Sequence, residues 1–370
     1  MAQDIPPIVL FGYDSSPFTQ KIRLILRLLR LPYTFILVPS MMPRPLLLSA
    51  FALTYRKIPV LAIGRDLYID TSLIVEVLTT DPRLANRYSA EVYPDQATRT
   101  LSRLLSSHYT DRPLFRLTTG LIPSVVWRTH FGTDRANLIG HKLDADKLDA
   151  KVPRNLAGLD TFLSILEPLF QEREWFLGTE KPGAADVALF YQLDWGERIS
   201  RGEGIKNLTG GGTQDGIGEG MGAVFNAERY PKLLEWFGRF NAYVDEIESL
   251  ERRIEQDDVV GAETAIKQLN EYNVGTEIPM LNTPRERIEV LEHRIGLRIG
   301  AKVSVAPDDT GRSSPTTGTL AAISTQEVAI TPEDPSLTGT QGLKETKVKG
   351  VRLHFPRVGF VVQPVNRARL

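Results

Sequence analysis

The sequence predicts three successive parts: an α/β unit, an all-α region and a small β-barrel-like domain. The α/β unit is indicated by apolar runs at 8–11 and 33–38 that flank an amphipathic helix, an order typical of parallel strands. Four segments with helical periodicity follow. The last part contains five short β-rich runs between turns rich in Pro, Asp, Gly and Ser. A chain of 370 residues is long enough for two or three domains.

The first strand leads into a helix that starts at a Ser-Pro pair. Ser16 has the residue type of an N-cap and Pro17 that of a first helical residue, and the apolar positions 22, 25, 26 and 29 share one helical face. The free amides of this helix start, beside the hydroxyls of Ser15 and Ser16, would form an anion site. A plain helix cap explains the same residues when they are taken alone.

The α/β unit continues through a short helix near 43–53 and a hairpin. The run 56–63 and the strand 67–69 are joined by the turn Gly64-Arg65-Asp66. Pro59 lacks a ladder donor, and a cis Ile58-Pro59 bond would turn the backbone amide and carbonyl of Ile58 toward a ligand. Asp70 then has the residue type of an N-cap for a third helix.

These motifs, in this order, resemble the amino-terminal domain of the cytosolic glutathione S-transferases (GSTs), which has a thioredoxin-like fold. Ser16-Pro17-Phe18-Thr19-Gln20-Lys21 is similar to the Cys-Pro-Phe-Ala-Glu-Arg motif of the omega class, with serine in place of cysteine, and Ser15-Ser16 is similar to the paired serines of the zeta class. The resemblance implies that Ile58-Pro59 pairs with the glutathione backbone and that Asp70-Thr71 holds its γ-glutamyl end.

A second motif, at 175–190, resembles the capping box that opens the central helix of the all-α GST C-terminal domain. Gly183 stands where the family has a hydroxyl residue, and Asp186 is predicted to cap exposed amides. The two matches cover about residues 5–250. The resemblance implies a cytoplasmic protein and a homodimer, and the chain beyond 250 resembles fungal GST-like proteins with a β-rich C-terminal extension.

The predicted boundaries follow from these motifs. They are 1–82 for the glutathione-binding domain, 83–96 for a linker, 97–275 for the helical domain and 284–370 for the β-rich extension. Within the helical domain and after it, helices are predicted near 97–119, 156–171, 184–200 and 230–251, and over Leu250–Asn273 and Pro284–Ile295. Residues 201–222 contain nine glycines but neither phosphate-loop motif, so they predict a surface loop or a lid.

The amino-acid composition excludes several kinds of reaction and binding site. The chain has no cysteine, which excludes disulfides and a protein thiolate nucleophile, and thus thioltransferase chemistry through a mixed disulfide. A net charge of −1 gives no general attraction to nucleic acid or anionic lipid. The five histidines lack metal-ligand spacing, and the N-terminus lacks the pattern of a signal peptide. The reactive sulfur is therefore expected to be that of glutathione.

Ser16 is the predicted hydrogen-bond partner of the glutathione thiol, Ser15 is the second candidate, and Thr19 and Tyr13 are weaker ones. A hydroxyl donor at a helix N-terminus would lower the thiol pKa from its usual value of about 8.5. Lys57 is either a partner for a glutathione carboxylate or a solvated surface lysine, and Asp70 has the competing role of a plain cap. The predicted glutathione-binding residues are Phe18, Lys57, Ile58, Pro59, Asp70 and Thr71.

The predicted function is a glutathione-dependent transferase or cis–trans isomerase that adds the thiolate to an apolar electrophile, such as a secondary metabolite or a detoxification substrate. Candidates for the electrophile pocket are His108, Tyr109, Trp127, His130, Phe131, Tyr191 and Trp195. Ordinary core packing explains the same residues. The alternative function is a non-catalytic GST-fold scaffold or regulatory binding protein.

Overall fold

A computed structural model describes residues 6–85, 92–272, 275, 277–283, 285–333 and 347–365. The N-terminal elements are β1 (Ile8–Gly12), α1 (Pro17–Leu28), β2 (Tyr33–Leu37), α2 (Pro45–Phe51), β3 (Val60–Ile63), β4 (Asp66–Ile69), α3 (Thr71–Thr80) and α4 (Pro82–Ala85). Strand β1 pairs parallel with β2 and antiparallel with β3, and β3 forms a hairpin with β4. This arrangement confirms the predicted thioredoxin-like α/β unit.

The helical region packs around one long central helix. Its elements are α5 (Gln96–Leu104), a π-helical segment (Leu105–Leu114), α6 (Phe115–Thr119), a 3-10 helix (Ser124–Arg128), α7 (His130–Ile139), α8 (Ala145–Asp149), α9 (Val152–Glu172), α10 (Ala184–Ser200), α11 (Ile205–Leu208) and α12 (Pro231–Asp245). Helix α10 is buried along most of its length. The four helices predicted within this region are confirmed, although the last, predicted near 230–251, ends at Asp245. The first is interrupted by the π-helical segment, which accommodates Pro113.

The prediction of a single helix over Leu250–Asn273 was wrong for its first residues. They form strand β5 (Glu251–Ile254), and helix α13 (Val259–Glu271) follows. Strand β5 pairs parallel with β2, whose edge would otherwise be open. The Glu251 carboxylate accepts hydrogen bonds from Arg23 Nε at 2.8 Å and from the Tyr33 hydroxyl at 2.5 Å, which holds β5 in place.

The helix predicted over Pro284–Ile295 is shorter, as α14 (Glu289–Arg294), and Pro284 lies outside the described residues. All five predicted C-terminal strands are confirmed as β6 (Lys302–Pro307), β7 (Thr316–Ile323), β8 (Glu327–Pro332), β9 (Arg352–Pro356) and β10 (Phe360–Pro364). Part of the predicted linker, residues 86–91, lies outside the described residues.

The C-terminal strands extend the N-terminal sheet, whereas the sequence predicts a separate barrel. Strand β9 pairs parallel with β4, and the ten described strands hydrogen-bond in the order β10-β6-β7-β8-β9-β4-β3-β1-β2-β5. The pairing covers the β4 edge, whose exposed amides and carbonyls would otherwise face water. One apolar cluster contains Phe11 and Val60 together with Leu353 and Phe355, so the two regions share a core.

A group of buried and half-buried charges lies where β4 meets β9, and we call it the junction cluster: Asp66, Arg83, Glu327, Arg352 and His354. The fully buried His354 contacts Glu327 Oε1 through Nδ1 at 2.6 Å and Asp66 Oδ1 through Nε2 at 3.1 Å. Arg352 Nε and Arg83 Nη1 also donate to Asp66, at 2.5 and 3.1 Å. Burial alone would lower the pKa of His354, but its two carboxylate partners outweigh burial and raise it.

Candidate functional site

A large cavity of about 970 Å³ lies between the N-terminal domain, the helical region and the C-terminal strands. Ser16 and Pro59 line it from the first part, Phe115 from the second and Phe360 from the third. Of the eight predicted site residues, seven line this cavity: Ser16, Phe18, Lys57, Ile58, Pro59, Asp70 and Thr71. Ser15 is not among the residues that line it.

Ser16 caps helix α1 at the cavity wall. Its Oγ accepts the amide proton of Thr19 at 3.2 Å, and its own amide donates to the Tyr13 carbonyl at 3.1 Å. The Ser16 hydroxyl proton has no acceptor among the described residues, and the Phe18 amide likewise has no described partner. Pro17 has no amide proton to offer. An anion at this helix start would therefore meet one free hydroxyl and one free amide.

Ser15 is held by the helical region instead. Its Oγ and its amide both donate to Asn207 Oδ1, at 2.7 and 3.0 Å, and its carbonyl accepts from Trp195 Nε1 at 2.9 Å. The Ser15 hydroxyl proton is thus already engaged. Asn207 lies in α11, inside the glycine-rich segment 201–222, whose Ile205 is buried. This part of the predicted loop is packed, and it fixes the turn before Ser16.

The two weaker thiol candidates differ in position. Thr19 is fully buried and does not line the cavity; it faces β1, where a Cβ added to Gly12 would lie 2.6 Å from its Oγ1. Tyr13 lines the cavity, and its hydroxyl accepts from Arg135 Nη2 at 3.3 Å. The ring of Phe18 packs on Phe115 with ring centroids 4.9 Å apart, so only its backbone amide is available to a ligand at the helix start.

The Ile58-Pro59 peptide bond is cis, as predicted. The Ile58 amide and carbonyl have no hydrogen-bond partner among the described residues, and Ile58 lines the cavity. An extended peptide ligand can therefore use both groups, in the manner of an added strand.

Asp70 is a helix cap with an unusual backbone. Its φ is +75°, a region that non-glycine residues rarely occupy. Its Oδ1 accepts from the Ser72 amide at 2.9 Å and the Ser72 hydroxyl at 2.6 Å, while its Oδ2 has no described partner. The carboxylate thus caps α3 with one oxygen and leaves the other for a ligand in the cavity.

Thr71 belongs to a buried polar network behind the site. Lys21 Nζ donates to Thr71 Oγ1 at 3.2 Å, to Ser106 Oγ at 2.6 Å and to Asp111 Oδ2 at 2.7 Å. The Tyr191 hydroxyl donates to Asp111 Oδ1 at 2.6 Å. Burial and the Asp111 carboxylate raise the pKa of Tyr191, which keeps this donor protonated. The network ties α1 and α3 to the helical region.

The predicted electrophile residues separate into two groups. Trp127, Phe131, Trp195 and the exposed His108 line the cavity. Tyr109, His130 and Tyr191 do not line it; Tyr191 is fully buried in the core. Tyr109 stacks on Phe162 with ring centroids 4.4 Å apart.

Several polar side chains at the cavity have no counterpart in the sequence prediction. Lys57 Nζ lies 2.5 Å from the carboxylate of Asp309, a residue that follows β6, and three arginines also line the cavity: Arg44, Arg56 and Arg135. Asp309 is more than 250 positions from Lys57, and no local pattern links them. Within the parts of the chain that the structure describes, no cluster of His, Cys, Asp or Glu is suited to holding a metal ion, and no helix is long and apolar enough to span a membrane.

Comparison with known families gives two matches. Residues 10–84 match the family described as the N-terminal domain of glutathione S-transferase, and residues 119–207 match a domain of unknown function (DUF7962). No curated protein matches the sequence.

Solved structures resemble the chain over much of its length. A GST-like protein from Pseudomonas syringae aligns with 97% of this chain and 100% of its own, at 21% identity and a TM-score of 0.59, so the fold is shared over nearly the whole chain. GST1 from rice, solved in complex with glutathione, aligns with 73% of this chain and 100% of its own, at 20% identity and a TM-score of 0.42. A glutathione transferase family member from Pseudomonas fluorescens, with two glutathione bound, covers 67% of this chain and 96% of its own, at 16% identity and a TM-score of 0.42.

Proposed function

Because the chain belongs to the glutathione S-transferase superfamily, we propose that it binds glutathione in the cavity and activates the glutathione thiol at Ser16 for addition to an electrophile. One observation carries the proposal: the Ser16 hydroxyl proton and the Phe18 amide are both without a described partner at the start of α1. The next two amides of the helix, those of Thr19 and Gln20, donate to Ser16. Two free donors at one point of the helix start favour the binding of an anion.

The free polar groups along the cavity suit the rest of glutathione. The Ile58 amide and carbonyl can pair with the cysteinyl backbone. The free Asp70 Oδ2 can accept the γ-glutamyl ammonium. Lys57 can take the glycyl carboxylate once that carboxylate replaces Asp309. The thiol then reaches Ser16 at the helix start.

Lowering the thiol pKa in this way requires only a modest stabilisation of the thiolate. Lowering a thiol pKa by about two units requires about 2.7 kcal/mol. A hydrogen bond to a charged group is worth about 1.5–3 kcal/mol, and a helix N-terminus adds about 0.3–1 kcal/mol. The thiol proton passes to solvent, and the thiolate forms a carbon–sulfur bond as a π bond of the electrophile breaks and its electron pair moves onto the activating group. The adduct then takes up a proton and leaves as a conjugate. Alternatively, after a bond rotation, the electron pair re-forms the double bond and the thiolate departs, which completes an isomerisation.

The test replaces Ser16 and follows the thiolate directly. In Ser16→Ala, we expect the Kd of glutathione to be nearly unchanged at about pH 6, where the thiol is largely protonated in both proteins. We expect the pKa of the bound thiol to return toward about 8.5, and kcat/KM to fall by about 10²-fold. Thiolate absorbance measured across pH reports the pKa. Ser16→Gly, which costs the cap only a few tenths of a kcal/mol, should give the same pKa change.

Ser15→Ala is the matched control, since the Ser15 hydroxyl already donates to Asn207. We expect it to keep the low thiol pKa. A protein that ignores millimolar glutathione would contradict the proposal. An unchanged thiol pKa in both Ser16 variants would leave glutathione binding intact and remove Ser16 from the mechanism.

A non-catalytic binding protein is the second candidate function. The observation that favours it is the Lys57–Asp309 ion pair, which occupies the cation expected to hold the glycyl carboxylate. In that case glutathione would bind without any fall in its thiol pKa, so the same absorbance measurement separates the two functions.

A further inference from the structure

Three arginines on the cavity wall carry more positive charge than their surroundings neutralise; we call Arg44, Arg56 and Arg135 the arginine cluster. Among the described residues, the carboxylate of Asp134 is the only one hydrogen-bonded to them. It accepts from Arg56 Nη2 at 2.8 Å and also from Arg135 Nη1. Arg44 donates to the backbone carbonyls of Pro39, Ser40 and Arg56. Three guanidinium groups thus share one carboxylate.

The uncompensated charge is largely shielded from water. Arg44 is 6% exposed, and the side chains of Arg56 and Arg135 are 13% and 16% exposed. Burial lowers the pKa of Arg44 to about 10, so its guanidinium remains cationic at neutral pH. Charges removed from water are normally paired, because their desolvation is costly. This excess of positive charge therefore favours the binding of an anion.

The cluster has unused donors. Arg56 Nε is buried and has no hydrogen-bond partner among the residues that the structure describes. The Tyr13 hydroxyl accepts from Arg135, which leaves its own proton free to donate. A planar guanidinium beside a hydroxyl is suited to a carboxylate, which it binds through parallel hydrogen bonds.

Tyr13 also connects the cluster to the reaction centre. Its carbonyl accepts the Ser16 amide proton at 3.1 Å, while its hydroxyl contacts Arg135. The Arg135 guanidinium lies 4.2 Å from the ring centroid of Phe131, and Trp127 packs against the same ring with centroids 5.8 Å apart. An aromatic wall thus leads along the cavity to the cationic group.

We propose that the arginine cluster is an anion subsite for the second substrate, an aromatic or apolar electrophile that carries a carboxylate. The assignment rests on the proposed function, since it places this acid beside a thiolate at Ser16. With an aryl halide, the sulfur–carbon bond forms, the halide leaves with the bonding electron pair, and the thiol proton passes to solvent. The carboxylate remains ionised at the cluster and takes no part in these bond changes.

The test compares two product-like conjugates on the full chain by calorimetry. S-(4-carboxybenzyl)glutathione and S-(4-methylbenzyl)glutathione differ by one carboxylate. We expect the acid to bind about tenfold more tightly to the wild type, and this preference to fall to near parity in Arg56→Gln and in Arg135→Gln. Arg128→Gln is the matched control, because Arg128 is exposed, pairs with Asp146 and does not line the cavity. It should keep the preference.

Two results would contradict the proposal that the arginine cluster binds the carboxylate of the electrophile. One is equal binding of the two conjugates to the wild type; the other is a preference that survives both variants. The glycyl carboxylate of glutathione has the same chemistry, so the glycine ethyl ester of glutathione is measured as well. If esterification weakens binding to the wild type but not to Arg56→Gln, the cluster holds the glycyl end and the assignment to the electrophile is wrong.

A glutathione-free probe separates this proposal from the proposed function. We expect 4-nitrobenzoate to bind alone, more tightly than 4-nitrotoluene, and to lose affinity in Arg56→Gln. If glutathione does not bind but 4-nitrobenzoate binds through Arg56, the anion subsite is supported and the proposed glutathione function is wrong. If 4-nitrobenzoate binds no better than 4-nitrotoluene, the arginine cluster is not an anion subsite, even if glutathione binds.

Discussion

In the proposed function, Asp309 and the glycyl carboxylate of glutathione compete for the ammonium group of Lys57. Lys57 directly precedes the cis Ile58-Pro59 pair, and its ammonium lies 2.5 Å from the Asp309 carboxylate. The side chains are 27% and 46% exposed, so water screens the pair and its strength is modest. A glycyl carboxylate would have to replace Asp309 to reach Lys57.

Asp309→Asn should therefore tighten glutathione binding. Partly exposed ion pairs are worth up to about 1 kcal/mol, so we expect the Kd to fall by about threefold, and by no more than about fivefold. Calorimetry at low and at high salt checks this, and the gain should shrink as salt screens the pair. Asp308→Asn is the neighbouring control and should leave the Kd unchanged. A higher Kd in Asp309→Asn would show that Asp309 assists binding.

At this scale, the residues that sequence reasoning located are those with a local signal. Ser16 precedes a proline at a helix start, and Pro59 opens a strand, so each has a backbone reason to be noticed. The partner of Ser15 had no such signal, because Asn207 is 192 positions away in a glycine-rich segment. Without that partner, the sequence could not decide which of the two serine hydroxyls remains free.

Helix α10 shows how one carboxylate organises an element. Asp186 is 1% exposed, and it accepts from the Phe176 amide at 2.9 Å, the Gly183 amide at 3.0 Å and Trp236 Nε1 at 2.8 Å. The sequence prediction that Asp186 caps exposed amides is confirmed. The indole partner was not predicted, because Trp236 lies on α12.

Removing this cap should destabilise the protein strongly. Asp186→Ala leaves three buried donors without a partner, and each such group costs about 1–3 kcal/mol. We expect the free energy of unfolding to fall by about 3 kcal/mol or more in urea denaturation. Glu235→Ala, which removes an exposed partner of Lys232 on α12, should change it by less than about 0.5 kcal/mol. A comparably small effect in Asp186→Ala would contradict the role of the cap.

The elements that were predicted incorrectly are those decided by distant pairing. Residues 251–254 carry no strong β pattern, yet they form β5 because β2 offers an open edge and Arg23 and Tyr33 hold Glu251. The C-terminal strands were located correctly from their β-rich runs. Their partner was not, since no local rule specifies that β9 should pair with β4.

Across the whole molecule, the junction cluster makes stability depend on pH. Folding raises the pKa of His354 above its unfolded value of about 6.5. The protonated imidazole therefore contributes stability that is fully present below about pH 6.5 and is lost as the pH rises through the folded pKa. Each unit by which the pKa is raised corresponds to about 1.4 kcal/mol.

We expect the free energy of unfolding of the wild type to decline from pH 6 toward pH 9 more steeply than that of His354→Gln, as followed by urea titrations at each pH. His141→Gln, at an exposed position, is the control and should keep the wild-type slope. Parallel slopes for wild type and His354→Gln would show that the imidazole does not change its charge state on folding.

The pairing of β4 with β9 also bears on how the chain matures during synthesis. Asp66 and its strand partner Arg352 are 286 positions apart, and Asp309 and Phe360, which line the cavity, are also late residues. Contacts between such distant residues close late, since the intervening chain must first be ordered. The helix start at Ser16 is made early by the ribosome, but its cavity acquires the last wall only after β9 and β10 have emerged. A nascent chain would therefore hold the turn at Ser16, which we propose to activate the thiol, well before it holds a complete chamber around it.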